Sequence, residues 1–131
     1  MSQAERNLSW ILKGGLLLVP FIPLIVTRSM FFPYITGKNF AFRILVEILA
    51  VFWVSLMAIA PRFRPKISLL TIAYAFFIVV LVFATIFGFS PYKSLWSNLE
   101  RMEGLFGHLH LFLFFLMLGS VFTAKKDWWL F

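Results

Sequence analysis

Apolar residues in this chain gather into four long runs, set apart by short polar stretches. The runs cover about residues 10–30, 40–60, 67–87 and 105–122. A helix needs about 20 consecutive apolar residues to cross a bilayer, so each run is read as a spanning helix. The expected fold class is all-α, a polytopic membrane protein with four transmembrane helices in one region, 1–131. The first run is the least regular. Lys13 lies near its start, Gly14-Gly15 follows, and Pro20 and Pro23 fall in its middle. Lys13 can snorkel to the interface, and the prolines free backbone groups that a kink or a neighbouring helix must satisfy. No small-x-small cleavage site follows this run, which favours a retained helix over a signal peptide.

The polar stretches carry the punctuation. Met1 to Ser9 reads as a short polar arm. Between the first two runs, Pro33 and Gly37 are turn residues, and Phe31, Phe32 and Tyr34 suit an aromatic belt at headgroup level. Pro61-Arg62-Phe63-Arg64-Pro65-Lys66 is a tight connection with three basic residues. Gly88, Ser90 and Pro91 break the third helix, and the stretch from there to Gly104 reads as a loop with Tyr92 and Trp96 as interfacial anchors.

Composition sharpens this picture. The 131 residues are 62% hydrophobic and 13% charged, with a mean hydropathy of +0.94. A soluble domain of this size cannot hide so much apolar surface, so membrane lipid is the expected partner. The formal net charge is +7, but the basic residues sit between spans and not along one face. They therefore read as topology signals and not as a nucleic-acid surface. One side collects Arg6, Lys13, Arg62, Arg64, Lys66, Lys125 and Lys126; the other holds Arg28, Lys38, Lys93 and Arg101. The first side is expected to be cytoplasmic, with both termini inside. The absence of cysteine removes disulfide and thiol chemistry.

Candidate chemistry is sparse. Arg43 and Glu47 are the charges of the second run, four residues apart and on one helix face. Ionisable groups inside a span are costly unless paired or facing a polar interior. The pair either fixes helix packing, the reading the sequence favours, or lines a polar site. Trp96 to Gly104 holds Glu100, Arg101 and Glu103, and both histidines follow at His108 and His110. On a helix His108 and His110 point roughly 160° apart, a poor geometry for a shared metal, and zinc wants three or four converging ligands. No metal or cofactor is expected. Arg101 has three readings: an ion pair with Glu100 or Glu103, a headgroup contact, or a contact to phosphate oxygens, which a guanidinium fork matches. Arg28, Lys38 and Lys93 lie on the same side and can add to a basic site for an anionic lipid carrier. Nothing in the pattern assembles a nucleophile, and there is no phosphate-binding glycine loop.

Two stretches carry a resemblance. Phe31-Phe32-Pro33-Tyr34-Ile35-Thr36-Gly37-Lys38-Asn39-Phe40 through Arg43 and Glu47, then Ser94-Leu95-Trp96-Ser97-Asn98-Leu99-Glu100-Arg101-Met102-Glu103-Gly104, resemble the N-terminal part of bacterial O-antigen ligase and O-antigen polymerase-like membrane proteins. The resemblance covers nearly the whole chain and implies a multi-pass protein of the bacterial inner membrane. Such a protein transfers glycan from an undecaprenyl-diphosphate carrier at the outer face. It also implies a larger family fold whose catalytic second half lies beyond this stretch. The chain then reads as a fragment, inactive alone, with that remaining half as a partner. No catalytic residue is carried over. Arg101, Glu103, Arg43 and Glu47 match the first-half pattern and are expected to support a substrate or carrier site, with Arg28 beside them. The competing reading is a non-enzymatic four-span subunit or lipid-binding scaffold.

Overall fold

The computed structural model describes residues 2–25, 35–97, 103–123 and 129, and all regular structure among them is helical. Five α-helices follow one another: α1 Gln3–Leu18, α2 Thr36–Ile59, α3 Leu69–Phe87, α4 Pro91–Trp96 and α5 Leu105–Val121. A 3₁₀ segment, Val19–Leu24, prolongs α1, and a 3₁₀ turn, Pro61–Phe63, follows α2. Three helical stretches are long and apolar enough to cross a membrane: Gln3–Leu24, Thr36–Ile59 and Leu69–Phe87. The fourth apolar helix, α5, has 17 residues and is about 25 Å long at 1.5 Å per residue.

The polar N-terminal residues are not an arm outside the first helix; they are its first turns. The Ser2 hydroxyl accepts a hydrogen bond from the Glu5 amide at 3.2 Å, and Glu5 places an acid in the first turn. Both features favour initiation there. Ser9, Leu12 and Leu16 then form the buried stripe of α1, at the spacing of one helix face. The prolines act later than a mid-span kink would require. Pro20 sits at the start of the 3₁₀ segment and Pro23 inside it, where the missing amide ends the α-helical ladder.

The core lies where α1, α2 and α5 meet. Leu12 and Leu16 pack with Val46, Leu49, Trp53 and Leu56 of α2 and with Met117 and Val121 of α5. The α2 members recur every three or four residues, so one face of a largely apolar helix is selected for protein contact. Gly15 permits the approach of α1 to α2, because a Cβ there would run into the Leu49 side chain, whereas a Cβ at Gly14 would meet open space. A buried polar contact pins α2 to α5. The Trp53 indole N–H donates to the Ser120 hydroxyl at 2.7 Å, and that hydroxyl donates onward to the Met117 carbonyl at 3.0 Å.

Helix order in space differs from order in the chain. α2 packs on α1 and α5, α3 packs on α5 and on α4, and among the described residues the α2 and α3 backbones do not approach each other closely. α5 therefore sits between two helices that precede it consecutively. Tyr74 of α3 packs edge-on to Phe112 at 5.1 Å and against Phe115 at 5.4 Å. Only Ile78 and Thr85 of α3 are buried, and its outer face presents Phe76, Phe83 and Phe87. An apolar surface of that extent belongs against lipid or another apolar helix.

The stretch after α3, expected as an uninterrupted loop, contains α4. Pro91 occupies its first turn, where the missing amide costs nothing, and Trp96 stacks on Phe106 of α5 with centroids 4.4 Å apart. Gly104 is required at the return into α5, because a Cβ there would collide with the Leu95 carbonyl oxygen.

Candidate functional site: a polar cleft between the first turns of α2 and α5

The starts of α2 and α5 lie side by side and enclose a cleft of about 390 Å³ lined by Asn39, Phe42, Arg43, Glu103, Gly107, His108 and Leu111. Its polar members come from three places. Asn39 and Arg43 are one turn apart on α2, Glu103 immediately precedes the α5 cap, and His108 is on the first turn of α5. Arg43 continues the buried stripe of α2 toward its N-terminus, and its exposure is only 9%. Phe42 beside it packs edge-on to Phe114, further along α5, at 5.8 Å, which ties the two helices together.

The cleft combines a fixed cation, an amide, an imidazole and a carboxylate in apolar walls. A guanidinium offers five N–H donors in a planar fork suited to phosphate or carboxylate oxygens, and a partly buried charge is less screened than one in water. His108 is held from behind by Phe77 of α3, ring to ring at 5.8 Å and nearly perpendicular. Glu103 and His108 also border a smaller neighbouring cleft of about 250 Å³ with Thr85, Ser94 and Gly104, so this end of the molecule carries two adjoining concavities.

Of the five residues the sequence nominated, Arg43 and Glu103 share this cleft. Glu47 does not line it. One turn further along α2, its Oε1 lies 3.0 Å from Nε2 of His110. Arg28 and Arg101 lie outside the described residues. The sequence reading did not place Asn39 or His108 in a site, nor pair His110 with Glu47. The two histidines do face different neighbours, His108 toward α3 and the cleft and His110 toward α2. Among the described residues no three metal-ligating side chains gather at one point.

The opposite end is basic. Lys13, Arg62 and Lys66 line a cleft with Ser9 and Thr123, and Arg62 bridges to Glu5 at 2.7 Å. The start of α1, the turn after α2 and the end of α5 thus lie together, away from the Arg43 cleft.

No family model matches the chain, and no curated protein or solved structure is significantly similar to it.

Proposed function

We propose that this chain is the membrane portion of a glycan-transfer protein of the O-antigen ligase or polymerase kind, and that the Arg43 cleft receives the diphosphate of a polyprenyl-linked donor. One observation carries the reading: Arg43 and Glu103, two residues 60 positions apart that belong to the resembling pattern, line one cleft with Asn39 and His108. A lipid carrier suits this place. The cleft opens where apolar helices begin, so a polyprenyl tail can lie along the helices while its charged head meets the guanidinium. In this reading α5 is a fourth span, both termini face the cytoplasm, and the cleft faces outward from the bacterial inner membrane. The clustering of Lys13, Arg62 and Lys66 at the other end agrees with the positive-inside tendency. The bond-making groups belong to a further part of the protein; this part holds the donor.

The test is binding of a polyprenyl diphosphate to the purified chain in lipid nanodiscs. Saturable binding is expected, weakened roughly ten- to hundredfold in Arg43→Gln, because losing a hydrogen-bonded contact to a charged group costs roughly 1.5–3 kcal/mol. Absence of saturable binding, or equal binding by the variant, overturns the reading.

A second reading, a non-enzymatic subunit or lipid-binding scaffold, is favoured by the broad apolar face of α3. It predicts binding that does not discriminate polyprenyl diphosphate from an ordinary anionic phospholipid.

A further inference from the structure

Glu47 is the twelfth residue of the 24-residue α2, so it stands at the helix midpoint, about 16 Å from the first turn. Its side chain is 65% exposed on the outside of the bundle, while the His110 ring that meets it is 13% exposed. A lone carboxylate at that depth, directed at lipid, is among the costliest placements for a charge.

The hydrogen bonds of His110 determine the protonation of the pair. Nδ1 lies 2.7 Å from the Phe106 carbonyl oxygen. A carbonyl can only accept, so Nδ1 carries a hydrogen and donates it. Nε2 then faces Glu47 Oε1 at 3.0 Å, and a bond between these two atoms requires one additional proton. Either Oε1–H donates to the Nε2 lone pair, and both groups are neutral, or Nε2–H donates to the carboxylate, and the pair is an imidazolium–carboxylate ion pair. Both forms hold one proton and have zero net charge. Losing that proton to bulk water leaves two lone pairs facing each other, and the contact opens with a net charge of −1.

We propose that Glu47 and His110 form a proton-binding site at the mid-depth of α2, taking up and releasing one proton as a unit. The surroundings make release feasible. Arg43, one turn away on α2, interacts electrostatically with Glu47 and offsets the charge of the empty site. From α5 the nearest other ionisable groups are His108, turned toward Phe77, and Glu103 in the cleft. α3 contributes only Tyr74, packed on Phe112 and Phe115. The ionisable groups of α1 are Glu5, Arg6 and Lys13; Glu5 and Lys13 meet the basic end at Arg62, and Arg6 bonds to Gln3 in the first turn.

The experiment uses the full chain in lipid bilayers, labelled with ¹⁵N in the histidine rings and ¹³C in the glutamate carboxyls, and followed by solid-state NMR as pH is raised. Nδ1 of His110 is expected to stay protonated throughout. The Nε2 signal and the Glu47 carboxyl signal are expected to change together over the step in which the shared proton leaves, because the macroscopic steps of an interacting pair belong to the pair and not to either residue. His108 in the same spectra is the internal control. In Glu47→Gln the amide N–H donates to Nε2, and the shared step is lost. Separate steps for the two groups, an unprotonated Nδ1, or an Nε2 response identical in wild type and Glu47→Gln would overturn the proposal. The wild-type measurement stands even where a variant fails to fold.

Discussion

At the scale of single residues, the polar side chains in apolar surroundings hold the helices in place. The Trp53 indole has one donor, and Ser120 is the group that accepts it. Ser120→Ala leaves that N–H without an acceptor. A loss of roughly 1 kcal/mol is expected, between the modest value typical of interhelical hydrogen bonds in membranes and the penalty for an unsatisfied buried donor. Thermal unfolding in detergent measures it, and Trp53→Phe in the Ser120→Ala background is expected to recover part of the loss, because no donor then remains to satisfy. Arg43 and Glu47 show what sequence can and cannot give at this scale. Their shared face follows from a four-residue spacing, and that much was legible. Their separate destinations, one in a cleft and one bonded to His110 across 63 positions, depend on how α5 is rotated against α2. No local pattern encodes that rotation, because apolar residues lie on every side of α5 and its two histidines face different helices.

At the scale of elements, the apolar runs made α2, α3 and α5 readable, since helix is the form that satisfies every backbone group in lipid. Misreading came where composition and periodicity disagree. Gln3–Ser9 is polar, which suggested an arm, yet Ser2 caps it and the stripe of Ser9, Leu12 and Leu16 continues through it at helical spacing. The six residues of α4 are too few for a periodic signal, and Pro91 at its start has the same sequence signature as a helix breaker. The glycines of α1 offer a clean comparison. Gly15→Leu is expected to push α1 away from Leu49 and destabilise the protein by roughly 1–3 kcal/mol, while Gly14→Leu, whose Cβ points into open space, is expected to change stability by less than about 0.5 kcal/mol. Chemical or thermal denaturation of the two variants side by side tests the α1–α2 interface.

At the scale of the whole molecule, two polar clusters sit at opposite ends. Lys13, Arg62 and Lys66 gather at one; Asn39, Arg43, Glu103 and His108 gather at the other. If the chain sits across the bilayer as proposed, single cysteines placed at Arg64 and at Lys93 in this cysteine-free sequence will react with a membrane-impermeant thiol reagent from opposite sides. Lys93 is expected to label in intact cells and Arg64 only after the membrane is opened. Labelling of both from one side would remove the four-span arrangement and the outward-facing cleft together.

The position of α5 between α2 and α3 bears on how the protein comes to be. Helices leave the ribosome in chain order, so α2 and α3 exist for an interval before α5 is made. For most of that interval α2 and α3 have no surface for each other, Trp53 has no acceptor, and Glu47 has no imidazole. α5, made after both, supplies all three at once. Assembly of this part of the protein is therefore held open until α5 has been made, and the two earlier helices must leave room between them for it.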